Sequence, residues 1–351
     1  MKNWIRTDLK DFVPYDENHP TFEHKINANE SPFTLSEEIK KDLINWLEDE
    51  NLRIYPDTSC KDLRSALGKH YNLNSENITC GVGSDALIDH ITKGFLNNND
   101  TVLIPTPSFT MYHITTKINH GKTIYYNLLE ENNFDFDENE LINQAKKENA
   151  KLIFMCNPNN PTGTVYSKEK VTKVIENVNA LVVIDEAYIE FADENLSFIN
   201  STYNNIVVLR TFSKAFGLAG ARVGFAVGSK PIIDVINTVK PPYDLNTLSQ
   251  LLAIKAMENY PKYMNQIRNI VAERNRMYEE IKKMNIKIFK SQGNFLYLKS
   301  SSFQSFIDGN ILVRKFGNSD YLRITVTTRD VNNKVLKILR SEKCENFPPK
   351  E

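Results

Sequence analysis

The stretch Thr211–Phe225 (TFSKAFGLAGARVGF) decides how the rest of this chain is interpreted. It follows the apolar run Ile206–Leu209 and is rich in glycine and alanine. A lysine such as Lys214 can be held there against packed backbone, where burial lowers its pKa and frees the amine to form an imine. Ser213 and Arg222 on either side would suit a dianionic phosphate, through a hydroxyl and a bidentate guanidinium. Taken alone, Lys214 is also compatible with a surface lysine in a flexible glycine turn.

Upstream, the segment Leu181–Tyr188 (LVVIDEAY) places an acid at the end of an apolar strand. Burying a carboxylate is costly unless it has a partner. Asp185 could hydrogen-bond a protonated ring nitrogen and keep it cationic, and Tyr188 could reach the same ligand. The plainer alternatives are a helix cap or an ion pair for Asp185 and core packing for Tyr188.

A third segment, Cys156–Gly163 (CNPNNPTG), follows another apolar strand and is stiffened by two prolines. Ligands of open α/β sheets bind at such carboxyl ends of strands, although a simple strand-to-helix turn explains this segment equally well. The chain runs 28 residues from Asn157 to Asp185 and 29 from Asp185 to Lys214. Each interval is about one strand–helix unit, so all three residues fit one sheet.

A fourth segment, Gly81–Ala86 (GVGSDA), has a dinucleotide-like glycine spacing and precedes a helix. The next strand, Thr101–Ile104, runs into Pro105–Pro107 without the acid that a dinucleotide site requires. The helix start at Ser84 and Asp85 still offers backbone N–H groups to one phosphate. An ordinary N-cap formed by either residue is the plainer interpretation.

Strand and helix patterns alternate through the middle of the chain, which predicts a mainly parallel sheet covered by helices. The strand candidates are Thr101–Ile104, Lys151–Met155, Leu181–Ile184, Ile206–Leu209 and Val223–Val227, and the helix candidates are Asp85–Phe95, Met111–Asn119 and Lys168–Asn177. A charged helix from about Tyr260 to Lys283 and a closing helix from about Asp330 then flank the strand candidates Ile286–Lys290, Phe295–Leu298, Ile311–Arg314 and Leu322–Val326. This second pattern is typical of a smaller α+β lobe.

Composition excludes several classes of function. Of 351 residues, 41% are hydrophobic and 25% charged, and 43 basic residues nearly balance 44 acidic ones, so nothing indicates binding to nucleic acid. No apolar run is long enough for a membrane span, and Met1–Asp8 is charged where a signal peptide would be apolar. We therefore expect a cytoplasmic protein without a membrane partner.

Cysteine and histidine positions argue against a metal site or a disulfide scaffold. Cys60, Cys80, Cys156 and Cys344 are far apart in the sequence, and all six histidines lie in the first 120 residues. An acid for a ring nitrogen, a lysine for an imine and several phosphate donors instead describe the binding of pyridoxal phosphate.

These motifs resemble the aminotransferases with the aspartate aminotransferase fold, and within that class the chain looks like the histidinol-phosphate aminotransferases. The resemblance covers about residues 25–340, and its further matches are Asn27–Glu30, Arg53–Asp57, Pro107–Tyr112, Pro242–Asn246 and Tyr321–Val326. It implies an α/β fold whose large domain has a mainly parallel seven-stranded sheet flanked by helices, with a smaller α+β domain. The implied bounds are an N-terminal arm with part of the small domain at 1–45, the large cofactor-binding domain at 46–255, and the small domain at 256–351.

The resemblance also assigns roles to residues. Lys214 would be the Schiff-base lysine, Asp185 would pair with the pyridine nitrogen, and Asn157 and Tyr188 would bond the ring hydroxyl oxygen. Phe109 would stack on the ring, and four residues would hold the phosphate: Ser84, Asp85, Ser213 and Arg222. Tyr55 would reach that phosphate from the neighbouring subunit, which implies a homodimer with shared sites. Substrate contacts would come from Arg323, Arg314 and Asn29.

The implied reaction is transamination of L-histidinol phosphate with 2-oxoglutarate in histidine biosynthesis. The segment Asn29–Thr34 lacks the second asparagine and the glycine usual in the family, and it borders the substrate. A threonine-phosphate decarboxylase and an aromatic aminotransferase therefore stay open as alternatives. A ligand-sensing regulator on the same fold would carry a basic DNA-binding module upstream, and no such excess of charge precedes Gly81.

Overall fold

The computed structural model describes residues 4, 6–7, 21–48, 51–192 and 196–346. The strands within these residues are β1 (His24–Lys25), β2 (Ile78–Val82), β3 (Thr101–Thr106), β4 (Lys122–Asn127), β5 (Leu152–Cys156), β6 (Leu181–Asp185), β7 (Ile206–Thr211), β8 (Val223–Gly228), β9 (Lys287–Phe289), β10 (Phe295–Lys299), β11 (Ile311–Leu312), β12 (Arg314–Lys315) and β13 (Tyr321–Thr325). The α-helices are α1 (Glu37–Glu48), α2 (Lys61–Tyr71), α3 (Gly83–Phe95), α4 (Met111–Ile118), α5 (Glu138–Lys147), α6 (Lys168–Asn177), α7 (Lys230–Val239), α8 (Thr247–Glu258), α9 (Tyr260–Lys282), α10 (Phe303–Asp308) and α11 (Arg329–Asn346). None of these helices combines the length and the apolar character needed to cross a bilayer.

The large sheet has seven strands in the order β2-β8-β7-β6-β5-β3-β4. Its strands run parallel except β8, which is antiparallel to both β2 and β7. Both faces are covered, because successive residues of β5 enter different cores: Leu152 and Phe154 pack into one, Ile153 and Met155 into the other. The prediction of a mainly parallel, helix-flanked sheet is confirmed.

Two strands of this sheet have no matching strand candidate in the sequence pattern. In β4 only Tyr126 is buried, because β4 is an edge strand that carries polar residues. In β2 the residues Thr79, Cys80 and Gly81 interrupt the apolar pattern, although the strand is almost wholly buried. The two strands form opposite edges of the sheet: β4 is largely open to solvent and needs no apolar run, whereas β2 is buried although its residues are small or polar.

The second sheet is antiparallel, in the order β12-β13-β10-β9; α9 lies against its strands β9 and β10, and α11 packs against α9. Expecting one strand over Ile311–Arg314 is wrong. The chain changes partners at Val313, so that β11 pairs in parallel with β1, whereas β12 pairs with β13. The domain bounds stay a prediction, and the pairing of β1 with β11 supports placing the segment around His24 and Lys25 with the smaller lobe.

Candidate active site

The site lies at the carboxyl edge of the large sheet, where three neighbouring strands end. Cys156, Asp185 and Thr211 close β5, β6 and β7, and all three line one cavity of about 460 Å³. The cavity also contains most of the residues that the sequence assigns to a site: Ser84, Asp85, Phe109, Asp185, Tyr188, Ser213, Lys214, Arg222 and Arg323. Ligand sites of α/β sheets occupy this position because the strand-to-helix loops converge there.

Lys214 projects into the cavity from the loop between β7 and β8. Its Nζ donates a hydrogen bond to the backbone carbonyl oxygen of Ala28 at 2.8 Å. Burial, followed by the positive charge of Arg323, lowers the pKa of Lys214 to about 8. A substantial fraction of this amine is therefore neutral near physiological pH and able to attack a carbonyl carbon.

Asp185 faces the same cavity and is 3% exposed. Its Oδ2 accepts a hydrogen bond from the Tyr112 hydroxyl at 2.7 Å, and its Oδ1 accepts one from the backbone N–H of Ala187 at 3.1 Å. Burial raises the pKa of Asp185 to about 6. Within the described part of the chain no cation pairs with this carboxylate. A cationic group on a ligand would therefore offset the free-energy cost of burying its charge.

Asn157 and Tyr188 lie beside Asp185 and have different partners. Asn157 Oδ1 accepts a hydrogen bond from the backbone N–H of Tyr166 at 2.9 Å, while its Nδ2 is buried without a partner among the described residues. The Tyr188 hydroxyl accepts one from Nδ2 of Asn29 at 3.0 Å, and burial raises the pKa of Tyr188. A buried amide donor without an acceptor costs free energy, so Asn157 Nδ2 could serve an acceptor on a ligand, and Asn157 itself lies behind the residues that line the cavity.

An anion site forms where α3 begins. The helix has no side-chain cap, which rules out Ser84 or Asp85 as its N-cap and leaves the N–H groups of the first turn available. Arg222 lies beside that turn and pairs with Asp85 at 2.9 Å. A Cβ on Gly83 would approach Arg222 Nη2 to 2.6 Å, so only glycine lets the guanidinium lie this close to the helix start.

Arg323 lines the same cavity from β13 and is 8% exposed. Its two Nη groups donate to the Asn160 side-chain oxygen and to the Asn27 carbonyl oxygen. Arg314 pairs with Arg323 across the β12–β13 ladder but lines a second cavity of about 280 Å³. Asn27 also lines the second cavity, while its carbonyl oxygen accepts from Arg323, which lines the first.

Tyr55 does not line the cavity of its own chain. It is 77% exposed, and its ring stacks on the half-exposed Tyr243 at a centroid distance of 4.4 Å. Other large apolar side chains nearby in sequence are also exposed: Ile44, Leu47, Leu52 and Ile54. Five large side chains between Ile44 and Tyr55 are therefore exposed to solvent in the single chain.

The sequence predicts no role for three further residues at the site. Tyr112 bonds Asp185, Asn160 bonds Arg323, and Glu30 lines the cavity. Each lies within a quoted motif, so the local signal was present. Their roles depend on which neighbouring element the side chain contacts, and a motif does not state this.

The arrangement fits a ligand with three parts. A phosphate would lie against α3 and Arg222, an aromatic cation would lie between Phe109 and Asp185, and a carbonyl carbon would lie within reach of Lys214. Comparison of this chain with known proteins agrees with this arrangement. The model of the family "Aminotransferase class I and II" matches residues 23–339. The chain therefore belongs to the class I and II aminotransferases.

Within this family, similar proteins of known name are histidinol-phosphate aminotransferases. The protein of that name from Ruminiclostridium cellulolyticum is 38% identical over 347 residues, which cover 96% of this chain and 97% of the relative. That from Thermoanaerobacter pseudethanolicus is 37% identical and covers 97% and 99%. The crystal structure of histidinol-phosphate aminotransferase from Sinorhizobium meliloti in complex with pyridoxal-5'-phosphate superposes with a TM-score of 0.86, at 22% identity, over 93% of this chain and 92% of that one.

Proposed function

We propose that this chain is a pyridoxal-phosphate-dependent aminotransferase of cytoplasmic histidine biosynthesis. It transfers the amino group of L-histidinol phosphate to 2-oxoglutarate, giving imidazole acetol phosphate and L-glutamate. The observation that carries the chemistry is the meeting of Lys214 and Asp185 in one cavity. The names of the similar proteins support the substrate.

The residues present fit pyridoxal phosphate. The unpartnered Asn157 Nδ2 would donate to the ring hydroxyl oxygen, and Asp185 would gain its missing cation from a protonated ring nitrogen. Phe109 would cover one face of the ring. The phosphate would be held by the first turn of α3, by Arg222 and by the hydroxyls of Ser84 and Ser213, with Asp85 orienting Arg222.

When bound, the cofactor supplies an electrophilic carbon for amines and a ring that accepts the electrons released at the substrate Cα. Lys214 would hold the cofactor covalently and, as a neutral amine, would take the proton from the substrate Cα as general base and return it as general acid. Asp185 would keep the ring nitrogen protonated, and Tyr188 would hold the ring hydroxyl oxygen. The lowered pKa of Lys214 suits this task, because the base must be neutral.

The substrate ends are anionic in both half-reactions, a phosphate ester in one and carboxylates in the other. Arg323 would serve both, since a planar guanidinium binds either group bidentately. Asn160 and the Asn27 carbonyl hold Arg323 in place, and Asn29 positions the Tyr188 hydroxyl beside the substrate. Arg314 would contribute to the phosphate ester from the adjoining cavity.

A homodimer would complete each site. The exposed apolar side chains around Tyr55 supply a contact surface, and Tyr55 of the partner subunit would reach the cofactor phosphate. In this proposal the stacking of Tyr55 on Tyr243 fixes the direction of the Tyr55 ring at the interface.

The test of function is a panel of amino donors assayed with 2-oxoglutarate. We expect glutamate from histidinol phosphate, no CO2, and lower kcat/KM for phenylalanine and tyrosine. Release of CO2 from threonine phosphate would favour the decarboxylase instead, and a preference for phenylalanine or tyrosine would favour an aromatic aminotransferase.

Hybrid dimers test the shared site. Mixing inactive Lys214→Ala subunits with an inactive Tyr55 variant should restore part of the activity, because one of the two sites in each hybrid then has both residues intact. Two inactive Lys214 variants mixed in the same way are the control. No recovery, despite subunit exchange measured with labelled chains, would show that each site is built within one chain.

A further inference from the structure

Tyr112 is fully buried in the first turn of α4, beside the cavity. Its ring stacks on Phe154 at a centroid distance of 4.6 Å and meets Phe109 edge-on at 5.6 Å. These contacts hold the ring on two sides. Its hydroxyl is thereby fixed 2.7 Å from Asp185 Oδ2, where it donates a hydrogen bond.

The Tyr112 hydroxyl stabilises the ionised form of Asp185, which most of its surroundings disfavour. Burial disfavours the ionised carboxylate most, and the negative charges of Asp85 of α3 and of Glu186, which follows Asp185, act in the same direction. The Tyr112 hydroxyl and the Ala187 N–H lower the pKa of Asp185 against these effects. Asp185 also lacks a positive partner among the described side chains, so its ionisation depends on these two donors until a cationic ligand arrives.

We propose that Tyr112 is a positioning residue, which acts on the cofactor through Asp185 by orienting its carboxylate toward the ring nitrogen and keeping it ionised. This rests on the proposed function, because it requires that pyridoxal phosphate binds here. Of the two carboxylate oxygens, Oδ2 is held by Tyr112 and Oδ1 by the backbone. Rotation of the carboxylate would break both hydrogen bonds.

Tyr112 and Phe109 lie close together in the segment that leads into α4, and each would serve a different part of the cofactor ring. Phe109, which would stack on the ring, lies three residues earlier, and the two side chains are in edge-on contact. The turn that begins α4 therefore places one aromatic residue against the proposed ring face and the other against the acid at the ring nitrogen. A shift of this turn would disturb both contacts together.

The test compares Tyr112→Phe with Tyr126→Phe in the holoenzyme. Tyr126 is a matched control, because it is also buried and its hydroxyl also donates one hydrogen bond, to the Phe154 carbonyl oxygen at 2.8 Å, away from the cavity lining. We measure the affinity of each apoenzyme for pyridoxal phosphate, the pH at which the visible band of the bound cofactor changes, and kcat and KM.

Tyr112→Phe should weaken cofactor binding about tenfold and raise the apparent pKa of the spectral change by about one unit. The sign follows because a less ionised Asp185 leaves the ring nitrogen less protonated, so the ring withdraws fewer electrons from Lys214 Nζ, which keeps its proton to higher pH. The kcat should fall about tenfold with little change in KM, and Tyr126→Phe should match the parent in all three measurements.

A near-isosteric replacement keeps the test decisive if Tyr112→Phe does not fold. 3-Fluorotyrosine at position 112 makes the hydroxyl a stronger donor, so the apparent pKa of the spectral change should fall below that of the parent. An unchanged spectral pKa in either variant would overturn the inference. If the parent protein itself gains no visible band with pyridoxal phosphate, the proposed function fails, and that failure is distinct from the first.

Discussion

Asp185 and Glu186 are consecutive residues at the end of β6, yet their surroundings are opposite. Glu186 is fully buried and accepts hydrogen bonds from Arg210 Nε at 2.8 Å, from the Ser197 hydroxyl at 2.7 Å and from the Phe198 N–H at 2.6 Å. Asp185 is buried as well, but its two donors are a tyrosine hydroxyl and a backbone N–H. Among the residues that the structure describes, Glu186 therefore has a cationic partner and Asp185 has none.

The cations of the two regions differ in the same way. Arg210 binds both Glu186 and Glu190, and these carboxylates raise its pKa. Lys214 has a carbonyl oxygen as its partner, and burial lowers its pKa to about 8. Buried charges that satisfy one another stabilise the fold, whereas buried charges left without a counterion mark a place where a ligand supplies it.

The largest expected effect is at Lys214. Lys214→Ala should reduce turnover by at least about 10³-fold, because both the covalent anchor and the general base are lost. Steady-state glutamate formation measures this, with exposed Lys230→Ala as control. Turnover at the parent rate would remove Lys214 from the mechanism.

At Glu186 the effect should fall on stability. Glu186→Gln breaks a buried ion pair and should lower the free energy of unfolding by about 3 kcal/mol, while the folded enzyme keeps most of its kcat. The midpoint of urea unfolding measures the first quantity. The same substitution at Glu280, which is partly exposed and lies in surface ion pairs, should change the midpoint little. If Glu186→Gln lowered kcat as much as an Asp185 variant does, then Glu186 would not be a purely structural acid.

The chain order of the motifs makes much of this site predictable. Asn157 follows β5, Asp185 ends β6 and Lys214 lies in the loop after β7, and parallel strands bring their carboxyl ends to one edge of the sheet. Contacts between elements were not predictable in this way. The bond from Tyr112 to Asp185 depends on how α4 packs against β6, and the separation of Arg314 from the main cavity depends on a change of strand partner at Val313.

Asp185→Asn should reduce turnover about 10²-fold, the scale of one lost preorganised electrostatic contact. Its effect on the stability of the apoenzyme should have the opposite sign. The folded-state pKa of about 6 lies above the ordinary 3.8, so ionised Asp185 destabilises the fold above pH 6, and this penalty declines as the pH falls toward 4. Unfolding of both apoenzymes at pH 8 and pH 5 should show Asp185→Asn more stable by about 2 kcal/mol at pH 8, with a smaller difference at pH 5. A destabilised Asp185→Asn apoenzyme at pH 8 would mean that Asp185 is a structural acid like Glu186.

The smallest expected effect concerns the protonation of Lys214 in the apoenzyme. Because only the neutral amine captures pyridoxal phosphate, the capture rate should rise with pH and reach half its maximum near pH 8. Between pH 6 and pH 8 the rate should increase about 50-fold and then level off, since titration is complete within about two units. Stopped-flow absorbance follows the capture, and N-acetyl-lysine in the same buffers corrects for the ionisation of the cofactor. The free amine should keep accelerating up to about pH 10, because its pKa is not lowered by burial. If the corrected profile of the protein follows that of the free amine, then burial does not lower the pKa of Lys214. Lys214 and Arg210 would then differ only in whether a carboxylate binds them.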